Sequence, residues 1–352
     1  MKFTVRFAAL IALTISLTSA LWATKLVTYS HRGEERLGAY EDNGVIDLNR
    51  AYALMLRQRG TPRAEARAAA LVPPNMLEFL QGEEESIRLA REAIDFVKQQ
   101  AARPDGMERL KQEGVWFGKD EVTLKAPLPN PPHLLAIGLN YRAHVAEIAR
   151  PDQQLIVQPG QSTAEPEYPI IFTKEGKIIG PGETIRIPAV VNNTDYEAEL
   201  AVVIGKPARN VSRAQALDYV AGYMTFNDVT AREFQRRVSQ WTLGKSPDTF
   251  SAMGPYIVLK DEIPNPQTLQ VRARIGSEVL QESNTERMIF PVAVLIEYIS
   301  QLMTLTPGTI IATGTPEGVG AARTPPRWLQ PGETITIEID NVGTLSNPVA
   351  KE

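Results

Sequence analysis

Asp195-Tyr196-Glu197-Ala198-Glu199-Leu200-Ala201-Val202-Val203-Ile204 is the stretch on which the fold turns. Its second half reads as a buried strand, being rich in branched apolar residues. If that strand starts near Asp195, its period of two puts Asp195, Glu197 and Glu199 on one face. Three like charges side by side repel one another by an amount set by the local dielectric. A strand carries that cost readily where something positive sits against it. Carboxylate oxygens without soft ligands suit Mg²⁺, Mn²⁺ or Ca²⁺. The plainer reading is an exposed strand edge kept soluble by acids. A second apolar run, Val220–Phe226, ends in Asn227-Asp228. An acid at a strand end can complete a ligand set, and it can also simply form a turn.

Short strands rich in branched residues surround this stretch: Leu134–Leu139, Ile170–Phe172, Tyr256–Leu259, Leu269–Ile275 and Ile310–Thr313. Helices are fewer. Ser212 with Gln215 predicts a capping box ahead of Leu217 and Val220. Pro291 predicts the first turn of a helix carrying Val292, Leu295, Ile296, Ile299, Leu302 and Met303 on one side. Pro181-Gly-Glu-Thr-Ile-Arg-Ile187 and Pro331-Gly-Glu-Thr-Ile-Thr-Ile337 each read as a turn feeding a strand, a reuse of turn chemistry rather than a duplication. Ahead of them, Pro127, Pro129, Pro131 and Pro132 make a stiff linker over 126–132. Residues 25–125 read as a small α+β domain. It has a strand at Lys25–Tyr29, a hairpin around Asn43-Gly44, and a helix over 83–98 opened by Glu83, Glu84 and Glu85. The class is mainly β, of α+β type.

The 352 residues allow one large or two smaller domains, with 43% hydrophobic and 22% charged residues. A net charge of −4 gives no electrostatic case for nucleic acid. With no cysteine, disulfides and thiolate sites are excluded, and three histidines make a multi-histidine metal site a poor expectation. Any metal must rest mainly on oxygen. Lys2 and Arg6 precede the uncharged stretch Phe7–Thr24, and Thr18-Ser19-Ala20 offers small residues for cleavage. Residues 1–23 therefore predict a secretory signal, or an uncleaved anchor as the only membrane contact, and an exported, periplasmic protein.

Gly138-Leu-Asn140-Tyr141-Arg142-Ala-His144-Val-Ala-Glu147 runs from a strand through a glycine into a short predicted helix. His144 and Glu147 are neighbours on such a helix. A carboxylate beside an imidazole orients it and raises its basicity, which suits acid–base work, though an ordinary surface pair has the same spacing. Lys245, in Trp241–Phe250, could bind a carboxylate or stabilise an enolate oxygen beside a metal. Thr313-Gly-Thr-Pro-Glu-Gly-Val-Gly320 lacks the lysine ending of a P-loop and is not read as a nucleotide site.

In order, these segments resemble the fumarylacetoacetate hydrolase family over residues 133–349. The match runs through Asp195–Lys206, Asn227-Asp228-Val-Thr-Ala-Arg232, Gly244-Lys245, Asn284-Thr285, Met288-Ile-Phe290, Thr313–Gly320 and Leu345-Ser-Asn-Pro348. The resemblance implies a β-roll or mixed β-sandwich catalytic domain, a homodimer, and Mg²⁺ or Mn²⁺ (Ca²⁺ being an alternative) on Glu197, Glu199 and Asp228. It implies His144 with Glu147 as an acid–base pair on a lid and Lys245 near metal and substrate. Asn140, Tyr141, Arg142, Gln235 and Thr315 would contact a small 2-oxo acid. The expected reaction is hydrolysis or lysis of a carbon–carbon bond in a 2-oxo or β-diketo acid. The alternatives are isomerisation/decarboxylation of a 2-hydroxyhepta-2,4-diene-1,7-dioate, or binding of 2-oxo acids without turnover. Three departures stand out: the long polar stretch Ala149–Pro169, Glu233 where the family often has aspartate, and an export signal in a family best known from cytoplasmic catabolism.

Overall fold

The computed structural model describes residues 24–149 and 164–352. Its largest element is a twelve-stranded sheet. The Ala198–Ile204 strand lies in the middle, antiparallel to Val220–Asp228 on one side and to Ile310–Ala312 on the other. Leu200, Val202 and Ile204 face one core, and Ala201 and Val203 face another. Both faces of this strand are covered, which explains why its sequence shows no polar alternation. Each fully buried Val, Leu or Ile contributes about 2 kcal/mol by leaving water.

On one side the sheet packs against five strands ordered Glu278–Asn284, Gln270–Ile275, Thr334–Ile339, Gly343–Lys351 and Ile185–Ile187, and against the Val292–Ser300 helix. The two similar turns flank one strand of this smaller sheet. Gly182 and Gly332, both at positive φ, donate their N–H groups to Ser346 and Val349 of Gly343–Lys351. The other side packs against N-terminal helices Leu48–Gln58 and Glu83–Ala101. The hairpin Lys25–His31/Glu34–Glu41 extends the large sheet, because Lys25 and Leu26 pair with Val258 and Ile257. Sheet and core thus run continuously across the proline-rich stretch at 126–132.

Three local expectations are corrected. The strand predicted from Asp195 is broken: Thr194–Asp195 pairs with Thr230–Ala231, and the long strand begins only at Ala198. Ser212 gives no capping box; its hydroxyl bonds the Gln215 side chain at 2.9 Å, and only a 3₁₀ turn, Ala216–Tyr219, follows. The last predicted helix ends at Ser300, leaving Leu302 beyond it and 85% exposed.

Candidate active site

Strand ends bring the acids together. Ala198 pairs with Asn227, and Asp228 N–H donates to the Glu197 carbonyl at 3.0 Å. Glu197, Glu199 and Asp228, all buried, each offer a carboxylate oxygen, and these oxygens lie within 4.8 Å of one another. Asp195 is excluded by the break in the strand. Its carboxylate accepts the N–H groups of Tyr196, Gly320 and Ala321 and the Arg232 Nε–H.

Three buried cations answer the four carboxylates. Lys245 Nζ lies 2.6 Å from Glu197 Oε2 and 2.8 Å from Asp228 Oδ2. Arg232 bridges Asp195 and Glu197, and Lys174 hydrogen-bonds Asp228 Oδ1. Glu199 is left over. Among the described residues its one hydrogen bond comes from Gly314 N–H at 2.8 Å, and no ion pair reaches it. Gly314 sits at φ +93, and a Cβ there would come within 2.7 Å of Asn140, so only glycine brings this N–H so close. Burial, then the charges of Asp228 and Glu197, push the Glu199 carboxyl well above its usual range. Burial also works against the Glu197 carboxylate, but Lys245 and Arg232 outweigh it and bring its pKa to about 2.

His144 and Glu147 lie on the Arg142–Ile148 helix. His144 Nδ1 is 2.6 Å from Glu147 Oε1, and Glu147 Oε2 accepts Gly318 N–H at 2.9 Å. An ionised carboxylate only accepts, so Nδ1 carries the proton and the Nε2 lone pair is left for chemistry. His144, Glu197, Arg232, Gln235, Lys245 and Thr315 all line one cavity of roughly 30 Å³, about one water's share of space. Trp241 also lines it and packs against Gly138, where a Cβ would stand 2.3 Å from the indole.

The structure therefore gathers the predicted His144, Glu147, Lys245, Gln235, Thr315 and the three acids around one space. Asn140 is placed elsewhere: its side-chain amide is spent on the main chain of Phe290 and Thr313. Arg142 is 61% exposed and pairs with Glu165. Tyr141 is buried, and among the described residues its hydroxyl has no hydrogen-bond partner. Sequence reasoning missed Lys174, Arg232, Trp241 and Gln281, whose amide joins Ala198 N–H to Thr315 Oγ1 and the Pro316 carbonyl. Only Arg232 carried a signal, from its place in the Asn227–Arg232 run. Glu233 is structural, accepting the N–H groups of Asn192 and Asn193. Most of the unusual Ala149–Pro169 stretch lies outside the described residues.

The all-oxygen donor set, the uncompensated Glu199 and the orphaned Tyr141 hydroxyl fit a hard divalent cation. The family pattern described as fumarylacetoacetate (FAA) hydrolase C-terminal matches residues 133–350. Oxaloacetate tautomerase YisK of Bacillus subtilis (strain 168) is 38% identical over 312 residues, 88% of this chain and 94% of that one. The mitochondrial oxaloacetate tautomerase fahd2 of Xenopus laevis is 38% identical over 281 residues, 79% of each chain. The solved fumarylacetoacetate hydrolase of Exiguobacterium antarcticum matches with a TM-score of 0.68 at 28% identity, covering 94% of this chain and 100% of that one. These relatives overturn the expectation of an exported, periplasmic protein, since the vertebrate one is named as mitochondrial. The proposed signal or anchor at 1–23 lies outside the described residues, among which no helix is long and apolar enough to cross a membrane. With the pattern covering more than half its length, and with Glu197 of the acid cluster, the imidazole and the lysine lining one cavity, the chain belongs to the fumarylacetoacetate hydrolase family.

Proposed function

We propose that this chain interconverts the enol and keto forms of oxaloacetate or a close 2-oxo diacid, with Mg²⁺ or Mn²⁺ on Glu197, Glu199 and Asp228. The reading rests on the names of the relatives and on one geometric observation. A single oriented imidazole shares a cavity with a fixed ammonium and with Glu197 of the metal-type carboxylate cluster. Tautomerisation moves one proton between C3 and the C2 oxygen. It needs a base, a stabiliser for negative charge and no second product.

In the keto-to-enol direction His144 Nε2 takes the C3 proton, Glu147 stabilises the imidazolium that results, and the imidazolium returns that proton to the C2 oxygen; the enol-to-keto direction runs the same steps in reverse. Burial opposes the Lys245 ammonium, yet Asp228 and Glu197 hold its pKa above the usual value, so a full positive charge faces the enolate oxygen. Arg232 is committed to Asp195 and Glu197 and orients Gln235 through its Oε1 at 3.0 Å, so Gln235 on the cavity wall suits a carboxylate of the diacid. When bound, a divalent cation supplies further polarisation of the C2 carbonyl. The hydrolase or lyase expected from the sequence is the competing reading, and the named hydrolase among the structural neighbours supports it.

The test is to add enol-enriched oxaloacetate to Mg²⁺-loaded protein and follow the enol absorbance together with total oxaloacetate and pyruvate. Faster decay of the enol with total oxaloacetate conserved is expected. Cleavage products forming in step with the absorbance loss would sink the tautomerase reading in favour of carbon–carbon bond cleavage.

A further inference from the structure

The residues that line the cavity do not share one environment. All are buried except Phe172 and Trp241, which are half-buried. Phe172 lies on the Ile170–Thr173 strand, and Trp241 stands between the exposed residues 237–240 and the short helix Thr242–Lys245. The two rings therefore form the mouth of the cavity. They meet edge-on, with centroids 5.4 Å apart and planes at 67°. The tip of the indole lies over Gly138, so close that no side chain fits between them. Inward of the rings come the polar groups. Lys245 Nζ lies 5.1 Å from the Phe172 centroid and shares the lining with His144 and Gln235. The Trp241 carbonyl accepts Lys245 N–H at 3.1 Å, so one helical turn carries both indole and ammonium.

We propose that Trp241 is a specificity-determining residue, whose indole limits the size of the group that a 2-oxo acid carries on C3. This inference rests on the tautomerase reading and names the part of the substrate that the mouth selects. The reacting end of the acid lies inward, at His144 and Lys245, so the group on C3 points back toward the two rings. A cavity of roughly 30 Å³ admits a diacid only if part of its lining gives way, and the rings at the mouth are the part that borders solvent. A carboxylate on C3 is small and stays hydrated there. A phenyl ring on C3 needs the space that the indole fills, and crowding a packed site is disfavoured. Truncation of Trp241 to alanine leaves a void beside Phe172. A phenyl ring is smaller than an indole, so it fits that void and regains an edge contact with Phe172.

The test compares Mg²⁺-loaded full-length wild type and Trp241→Ala on two enol-enriched acids, oxaloacetate and phenylpyruvate. The second carries a phenyl ring on C3 in place of a carboxylate. The readout is the ratio of kcat/KM for phenylpyruvate to that for oxaloacetate, which a loss shared by both substrates does not move. That ratio is expected to rise about a hundredfold in Trp241→Ala and about tenfold in Trp241→Phe, whose smaller ring opens less space. Equal falls with both substrates, leaving the ratio unchanged, overturn the size role and reduce Trp241 to a support for Lys245, while the tautomerase reading stands. A wild type that turns over phenylpyruvate as well as oxaloacetate also overturns the size role. A wild type inactive on both enols overturns the tautomerase reading, and this inference with it. Should Trp241→Ala not fold, Trp241→Phe carries the same comparison: a tenfold rise supports the proposal, and an unchanged ratio overturns it.

Discussion

Glu197, Glu199 and Asp228 stand at or near the ends of strands buried on both faces, whereas His144 and Glu147 ride on a helix of seven residues. The acids are gripped from all round, by Lys174, Lys245, Arg232 and the N–H of Gly314. The imidazole is gripped through Glu147, itself held by Gly318 N–H. Like charges packed in a dry interior need fixed cations, so the acidic half must be rigid. A base that passes a proton needs only the right orientation, and one carboxylate supplies it. The two halves should therefore fail separately.

Glu199→Ala tests this most severely. It removes the acid with no cation of its own, so calorimetry should show divalent binding lost and turnover lower by on the order of a thousandfold. Full activity of Glu199→Ala in chelator-treated buffer would dissolve the distinction between the halves. His144→Ala should lower turnover by about 10²–10⁴-fold. Its metal affinity should stay within about twofold, because the hydrogen bond of His144 goes to Glu147 and not to the acids or to the cations that hold them. A parallel loss of metal affinity would mean that the helix also supports the ligands.

Glu147→Gln keeps the shape of the side chain but removes the charge. A neutral amide can still hold Nδ1, yet it stabilises an imidazolium less. Turnover should fall roughly tenfold to a hundredfold, with KM nearly unchanged. A large rise in KM instead would make Glu147 part of substrate binding and not of proton transfer.

The sequence showed the acidic half better than its supports. Two-residue spacing singled out Glu197 and Glu199, and a strand end singled out Asp228. The same rule placed Asp195 with them and failed, since the strand breaks at Tyr196-Glu197 and turns Asp195 toward Arg232. Lys174 had no local signature. A lysine after an apolar strand is ordinarily a surface residue, and only the tertiary meeting of three segments buries it. Likewise, nothing in Trp241 or Gly138 alone says that one fills the space the other leaves. Hydrophobic periodicity gave the sheet, and it missed the 3₁₀ turn at Ala216–Tyr219 because a capping pattern is necessary for many helices without being sufficient for any.

The smallest effect comes from proton linkage, and it probes the acidic half with its metal removed. There the Glu199 carboxyl is raised above its ordinary value of 4.5, while Glu197 is lowered to about 2. The two titrations have opposite signs. Folding makes Glu199 hold its proton more tightly, so its stabilising contribution is complete below 4.5 and is lost as pH rises through the raised value. Folding makes Glu197 a stronger acid, so its contribution is complete above 4.5 and is lost as pH falls toward 2. Glu199→Gln removes the first titration and keeps the neutral shape. The Tm of wild type minus that of Glu199→Gln, both metal-free, should therefore decline by a few degrees as pH rises above 4.5. Saturating Mg²⁺ should reverse the trend, because binding favours the ionised carboxylate and expels its proton. A difference that stays flat with pH in metal-free protein would show that Glu199 is already charged and compensated, and the acidic half would then not depend on a metal for its charge balance.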